Sequence, residues 1–146
     1  MKRPAGEQLT LAVGRLLAER RGAQLAQLRP DLIVPVPMHW WRRLVRGFNS
    51  AELLAQCLGR HLNAPVAHVL VRRRHTQPQK DLLPRERFAN VRDAFQVRER
   101  ARRHWRGSHV LLVDDILTTG ATCSEAARVL KLAGAATVAV AVVARA

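Results

Sequence analysis

The sequence predicts a single α/β domain in which parallel strands are flanked by helices. The first observation is length, because 146 residues with 48% hydrophobic content suit one domain with its own core. The second is alternation, since short apolar runs typical of buried strands alternate with longer segments of helical periodicity. The third is the acidic pair Asp114-Asp115, which directly follows one apolar run, at the strand end where such sheets bind ligands.

The first third of the chain predicts a helix, a strand and a second helix. From Glu7 to Gln27 apolar residues recur at helical spacing, at Leu9, Ala12, Val13, Leu16, Leu17, Ala23 and Leu25. Leu32 to Pro37 is an apolar run too short for a helix, and it predicts a buried strand. Asn49 and Glu52 have the spacing of a capping box, and an apolar helical face follows at Ala51, Leu54, Ala55, Leu58 and Leu62.

The middle of the chain predicts a second strand from Val66 to Val71 and then a segment of a different kind. Residues 72–107 carry twelve Lys or Arg against four Asp or Glu, with two prolines and few large apolar side chains. Long segments of this composition are usually binding loops or linkers. We expect a flexible basic loop or hood outside the core, with one short element near residues 90–97.

The last third predicts strand, turn, helix and strand. His109 to Val113 is an apolar run that ends at the acidic pair, and a turn follows over residues 118–122. Thr122 and Glu125 have the spacing of a capping box for a helix from Cys123 to Ala133, which Gly134 ends. Thr137 to Ala144 predicts the final strand.

The charge balance favours an anionic partner. Lys and Arg together number 25 against 11 Asp and Glu, a net charge of +14, and the three lysines are Lys2, Lys80 and Lys131. Such an excess suits nucleic acid, polyphosphate or a phosphorylated metabolite. The alternative is a solvated basic surface without a ligand, because arginine bias also arises from GC-rich coding sequence.

Cysteine content and hydropathy exclude several classes. Two cysteines, Cys57 and Cys123, are too few for a disulfide scaffold or a zinc ribbon. The sequence has neither a signal-peptide pattern nor an apolar run long enough to span a membrane. We therefore expect a cytoplasmic protein without membrane insertion.

The strongest chemical signal runs from Val110 to Thr122. The apolar strand would fix Asp114 and Asp115 where their carboxylates can accept hydrogen bonds from vicinal sugar hydroxyls. The turn after them offers hydroxyls and backbone N–H groups to a phosphate, at Thr118, Thr119, Gly120, Ala121 and Thr122. The alternative is an ordinary strand with a polar loop, but paired acids beside a buried strand are costly without a ligand.

This run resembles the 5-phosphoribosyl-1-diphosphate (PRPP) signature of type I phosphoribosyltransferases. Two further segments, residues 35–55 and 72–95, resemble the competence protein F (ComF, or GntX-like) family through Pro35-Val36-Pro37, Arg46-Gly47-Phe48-Asn49 and Arg72-x-Arg74-x-Thr76-x-Pro78-Gln79. Members of that family usually carry an N-terminal zinc ribbon, which this sequence lacks. The resemblance implies one phosphoribosyltransferase-like domain over residues 1–146, with an N-terminal helix within residues 1–30.

The resemblance implies an enzyme that transfers phosphoribosyl from Mg²⁺-bound PRPP to a nitrogen nucleophile, with Asp114 and Asp115 orienting the ribose. It implies a pyrophosphate loop with the anion-binding candidates Arg42, Arg43 and Arg46, and a closing loop with the candidates Arg72, Arg74, Gln79, Lys80 and Arg87. Mg²⁺ would be held by PRPP and water rather than by protein ligands. Each arginine also has the alternative of a solvated surface position.

Some features stay open at the level of sequence. The alternative function is a non-catalytic PRPP-sensing module, or one that binds DNA or a protein partner of the DNA uptake machinery, which the family name implies; nucleic-acid binding rests on charge alone. The acceptor and the oligomeric state are not specified by the sequence. Trp40 and Trp41 suit core packing or base stacking, and Cys123 suits a small spacer or a reactive thiol.

Overall fold

A computed structural model describes residues 4–74, 76–77 and 81–146, with all of their side chains except those of Trp40, Trp41 and Arg102. In chain order the elements are α1 (Ala5–Gln27), β1 (Leu32–Pro35), α2 (Trp40–Arg46), α3 (Ser50–Leu62), β2 (Leu70–Arg72), α4 (Pro84–Val91), β3 (Phe95–Val97), a 3₁₀ turn (Glu99–Ala101), α5 (Arg102–Trp105), β4 (His109–Leu117), α6 (Ala121–Leu132) and β5 (Thr137–Arg145).

The main sheet is parallel, with the strand order β1-β4-β5, and this confirms the predicted α/β class. Ile33 pairs with Leu111, and Leu111 pairs with Ala139. A backbone bond from Val36 N–H to Val113 O at 2.9 Å continues the pairing just past β1. The end of β1 therefore lies beside Val113, but β4 continues past this predicted strand end to Leu117, so the acidic pair lies within the last four residues of β4.

Both faces of the sheet are buried at β1 and at residues 110–113 of β4, as the continuous apolar runs of these strands predict, whereas the edge strand β5 buries only Ala141. On one face α1 and α3 pack against Ile33, Leu111 and Val113. On the other face α6 and the two-stranded antiparallel sheet β2-β3 pack against Val34 and Leu112. The central strand is thus held from both sides, and the position of its carboxyl end is fixed by the core.

Helix α1 forms where the sequence predicts it, but the predicted apolar face was only partly right, since Leu25 is buried and Leu17 packs against the core. Leu9 and Leu16 are 67% and 48% exposed, whereas Gly14, Ala18, Gly22 and Leu25 are buried. The reason is the close approach of α1 to α3, because a Cβ at Gly14 would lie 2.9 Å from Cys57 Sγ. Small residues let the two helices touch, and Leu9 and Leu16 therefore lie outside the contact.

The basic segment 72–107 contributes to the core, so the prediction that it lies outside was wrong. It forms α4, β3 and α5, and it buries Val91, Ala94, Phe95, Val97 and Trp105. These few apolar residues suffice because Phe95 and Val97 lie on the same buried face of β3 and Trp105 anchors a short helix. From here on the term hood is kept for residues 72–97, the part of this segment that precedes the 3₁₀ turn.

Other element boundaries also differ from the predicted ones. The strand predicted over Val66 to Val71 is divided, because Val66 makes one isolated bridge to Ile33 while β2 pairs with β3. Helix α6 begins at Ala121 after Gly120, so the predicted capping box at Thr122 does not form. Within the residues described, no helix is both long and apolar enough to cross a membrane.

Candidate functional site

A pocket of about 600 Å³ lies at the carboxyl ends of β1 and β4. It brings together residues from four segments that the sequence predicted: the acidic pair, the pyrophosphate-loop candidates Arg42 and Arg46, the hood, and residues 118–122, which we call the phosphate turn. Its lining consists of Val36, Pro37, Met38, Arg42, Arg46, Asn49, Arg72, Asp114, Asp115, Ile116, Thr118 and Thr122.

The acidic pair is held in place by its own backbone. Asp114 Oδ1 accepts a hydrogen bond from Asp115 N–H at 2.9 Å, and Asp115 Oδ1 accepts one from Ile116 N–H at 2.8 Å. Each carboxylate keeps one oxygen that no backbone N–H occupies. Burial, followed by the neighbouring Asp115 charge, raises the pKa of Asp114 to about 7. This environment therefore disfavours the ionised form of Asp114, and a cation or a ligand hydrogen-bond donor in the pocket would stabilise that form.

Cys123 contacts this pair, which the sequence did not specify. Its Sγ lies 3.7 Å from Asp114 Oδ2, and the residue is buried in the first turn of α6. Burial and the nearby Asp114 carboxylate raise the pKa of the thiol to about 12. Cys123 is therefore a neutral hydrogen-bond donor to Asp114, and the reactive-thiolate alternative has no support. The sequence signal for this contact was the position of Cys123 directly after residues 118–122, in the first turn of the helix that follows the acidic strand.

The raised pKa of Asp114 predicts a pH dependence of folding stability. Its pKa in the folded chain is about 7 against an ordinary value of 3.8, so the unfolded chain loses this proton first as pH rises. Wild-type stability should fall relative to Asp114→Asn between about pH 4 and pH 7, and the difference should level off above pH 7. Urea unfolding of both proteins across this range measures it. A difference that is constant with pH would contradict the assigned environment.

The turn after the acids has the geometry of a helix start beside the pocket. Gly120 has φ +82°, a conformation that favours glycine, and it precedes α6. Thr119 Oγ1 accepts from Ala121 N–H at 3.4 Å, so this hydroxyl helps to cap the helix. The hydroxyl-bearing residues Thr118 and Thr122 line the pocket. Two of the predicted phosphate-binding residues therefore lie in the pocket wall, and the helix N-terminus favours an anion there.

The three arginines predicted for the pyrophosphate loop, Arg42, Arg43 and Arg46, separate into two groups. Arg42 and Arg46 lie one turn apart on α2, and both line the pocket. The guanidinium of Arg43 lies 3.7 Å from Glu52 Oε2 and is 63% exposed. Helical periodicity explains the difference, because residues four apart share a face and Arg43 does not lie on it.

Asn49 caps α3, as its position predicts, and also lines the pocket. Its Oδ1 accepts from Ala51 N–H at 3.1 Å, and its Nδ2 donates to Val36 O at 3.2 Å. Glu52 does not complete the predicted capping box, because it pairs instead with His68 and Arg43. Asn49 thus links the start of α3 to the end of β1.

Arg72 is the hood residue that the structure places in the pocket. Its Nη2 donates to Thr76 Oγ1 at 2.9 Å, and its guanidinium lies 5.3 Å from the centre of the Phe95 ring. Its buried Nε has no acceptor among the described residues. Burial, followed by the Arg42 charge, lowers the pKa of Arg72, whereas Asp114 opposes the change. An unpaired buried donor is costly, so this geometry favours an anionic ligand.

Two other predicted hood candidates hold the hood's own backbone. Arg74 donates to Asn90 O at 2.9 Å and to Arg92 O at 2.5 Å, around the end of α4. Arg87 Nε donates to Leu82 O at 3.2 Å. Gln79 and Lys80 lie outside the described residues. Roles of these four side chains in ligand binding stay predictions.

An ionic network that the sequence did not predict joins the hood to α6. Buried Glu125 accepts from Asp93 N–H at 3.0 Å, and Arg128 donates to Glu125 at 2.6 and 2.9 Å and to Asp93 Oδ1 at 3.0 Å. The hydrogen bond from Arg128 is the main cause that lowers the pKa of Glu125. The helix that starts at the phosphate turn is thereby connected to the hood that carries Arg72.

A parallel sheet flanked by helices, with an acidic pair in the last part of its central strand and a Thr-Gly turn after that strand, defines a type I phosphoribosyltransferase domain. The chain matches the phosphoribosyl transferase domain family over residues 5–146, and it belongs to that family. The resemblance drawn from the sequence is confirmed.

Curated relatives narrow the resemblance to competence proteins. Competence protein F of Haemophilus influenzae is 37% identical over 127 residues, 86% of this chain and 55% of that protein. DNA utilization protein YhgH of Escherichia coli K12 is 39% identical over 110 residues, 75% of this chain and 47% of that protein. Competence protein ComFC of Bacillus subtilis is 34% identical over 108 residues, 72% and 41% of the two chains. The chain spans about half the length of these relatives.

Solved structures share the fold at low sequence identity. Glutamine PRPP amidotransferase from B. subtilis, complexed with ADP and GMP, has a TM-score of 0.61 and 22% identity, covering 94% of this chain and 26% of that one. UMP synthase of Leishmania donovani has a TM-score of 0.52 and 22% identity, covering 88% and 21%. These similarities establish the architecture.

Proposed function

We propose that this chain binds Mg²⁺-PRPP in the pocket at the ends of β1 and β4 and transfers its phosphoribosyl group to a nitrogen nucleophile. The observation that carries the proposal is the convergence of Asp114 and Asp115 with three pocket arginines and the phosphate turn. Neutral sugars need no such cationic wall, and nucleic-acid backbones do not need a partly buried acidic pair.

Each part of the pocket suits one part of PRPP. The 5-phosphate lies at the turn before α6, where Thr118, Thr122 and the helix N-terminus supply donors. The ribose hydroxyls donate to carboxylate oxygens of the acidic pair, of which Asp114 Oδ2 also accepts from Cys123 Sγ. The diphosphate lies against Arg42, Arg46 and Arg72, because guanidinium groups make paired hydrogen bonds to phosphate oxygens.

The residues present fit Mg²⁺ that arrives with its ligand. Among the described residues, no group of three or more His, Cys, Asp or Glu side chains is placed to hold a metal. Mg²⁺ keeps several waters and is commonly bound through one or two carboxylates and substrate phosphates. When bound, it would neutralise charge on the departing diphosphate, while Asp114 and Asp115 orient the ribose.

The reaction replaces one bond at C1 of the ribose with another. The C1–oxygen bond to diphosphate breaks with its electron pair, a nitrogen lone pair forms the new C1–N bond, and the nitrogen then loses a proton to solvent. The arginines stabilise the leaving group by charge-assisted hydrogen bonds. The competence-related names of the relatives suggest that this chemistry serves DNA uptake or utilization.

Diphosphate release tests the transfer step. Purified protein with Mg²⁺ and PRPP is incubated with a panel of nucleobases, ammonia and simple amines, and released diphosphate is measured by a coupled assay. We expect release with at least one acceptor and none without Mg²⁺. Binding of PRPP without release for any acceptor would contradict the transferase assignment and favour the PRPP-sensing alternative.

A further inference from the structure

A second basic surface lies far from the pocket. Residues 98–106 contain five arginines and one histidine against a single acid, Glu99. The exposed basic side chains among them, which we call the amino-end cluster, are Arg98, Arg100, Arg103, His104 and Arg106.

The amino-end cluster lies at the amino ends of the parallel strands, whereas the pocket lies toward their carboxyl ends. The backbone just after it bonds to the turn before β5, with Gly107 N–H to Gly134 O at 2.7 Å and Ala136 N–H to Ser108 O at 2.9 Å. Both contacts precede the parallel strands, whereas the pocket follows them. Five residues of strand at about 3.3 Å each separate His109 from Asp114 by roughly 16 Å. A ligand in the pocket therefore does not account for these charges.

The backbone that carries the cluster is packed against the rest of the fold. Trp105 is 4% exposed and belongs to the hydrophobic core. The stem of Arg106 packs so closely over Gly134 that a Cβ there would lie 2.7 Å from Arg106 Cγ. The segment that carries the arginines is therefore attached to the core through Trp105 and to the turn before β5 through Arg106.

The guanidinium groups of the cluster have free donors. Within residues 4–74, 76–77 and 81–146, Arg98, Arg100, Arg103 and Arg106 make no side-chain hydrogen bond or ion pair. A groove of about 350 Å³ is lined by Arg103 and Arg106, by the acid Glu99, and by Leu132 and Ala133 at the end of α6. Several unpaired guanidinium groups on one short segment of the chain suit a repeating anion better than a single small one.

We propose that the amino-end cluster binds the phosphodiester backbone of duplex DNA, independently of the pocket. Charge complementarity supports this partner, since the chain has a net charge of +14 and the cluster is its densest arginine segment outside the hood. Single-strand binding commonly uses exposed aromatic rings for base stacking, and the aromatic residue here, Trp105, is buried. Backbone contacts without base contacts give binding that is insensitive to sequence.

A matched pair of triple variants tests the surface. In Arg100→Gln/Arg103→Gln/Arg106→Gln the cluster loses three charges, and in Arg15→Gln/Arg20→Gln/Arg21→Gln the exposed face of α1 loses the same number. Fluorescence anisotropy with a labelled duplex is measured from 50 to 200 mM salt. We expect the cluster variant to bind at least about tenfold more weakly, with a salt slope smaller by about 2.7, at about 0.9 per phosphate contact. The control should keep the wild-type slope.

Further arms distinguish the outcomes. The proposal would be overturned if both variants lost equal affinity, or if wild type did not bind the duplex at 50 mM salt. It would also be overturned if single strands or anionic vesicles bound more tightly than the DNA duplex. RNA and DNA duplexes of one sequence are compared, and a preference for RNA would overturn the DNA assignment. Circular dichroism checks folding, and Arg100→Gln/Arg103→Gln, which spares the packed stem of Arg106, replaces a triple variant that fails to fold. Mg²⁺-PRPP binding should be unchanged, which separates this proposal from that of the pocket.

Discussion

The double substitution Asp114→Asn with Asp115→Asn is expected to weaken Mg²⁺-PRPP binding by about 100-fold or more. Hydrogen bonds to charged groups contribute about 1.5–3 kcal/mol each, so two lost carboxylates correspond to at least about 3 kcal/mol. The chain should stay folded, because the pair lies at the pocket and two adjacent acids repel each other. Isothermal titration calorimetry measures the affinity of both proteins.

The control for this substitution is Glu19→Gln, an exposed acid on α1 that lies outside the pocket lining. It changes charge without touching the pocket and should leave the affinity within about twofold of wild type. A folded double variant with unchanged affinity would contradict the role of the acidic pair in holding the ribose.

Arg72→Gln is expected to weaken Mg²⁺-PRPP binding by about 10- to 100-fold, corresponding to one charge-assisted interaction of about 1.5–3 kcal/mol. Its buried Nε has no acceptor among the described residues, and the guanidinium lines the pocket beside Asp114. A diphosphate in the pocket would pair with the charge of this guanidinium. The same calorimetric titration measures the loss.

Arg73→Gln is the matched control, since Arg73 is the next residue and is exposed. Only its backbone N–H bonds to the hood, at 2.7 Å from Ala94 O, and this contact survives the substitution. Equal losses in the two variants would show that general positive charge, rather than the placement of Arg72, attracts the ligand.

The acidic pair and the turn could be predicted because their signal is local. An apolar strand, two acids and a Thr-Gly turn are contiguous in the sequence, and Gly120 has the left-handed conformation that such a turn requires. Arg42 and Arg46 could be separated from Arg43 only once α2 was known to be a helix. The local pattern identifies the loop, and the helix determines which side chains face the pocket.

The parts that were missed depend on contacts between distant segments. The buried face of α1 is set by its close approach to α3 at Gly14, which a search for large apolar residues does not detect. Glu125 has the spacing of a capping residue but bonds to Asp93, 32 positions earlier in the chain. The contribution of Trp105 to the core is similarly hidden in a run of arginines.

Calorimetric titration of the wild-type chain with PRPP in the presence of Mg²⁺ tests the central claim most directly. We predict binding at one site per chain, with ribose 5-phosphate competing for the same site because it occupies the phosphate turn and the acidic pair. The same ligand should raise the melting temperature, since it binds only the folded chain. The absence of both heat and a thermal shift at millimolar PRPP would contradict the assignment of this pocket.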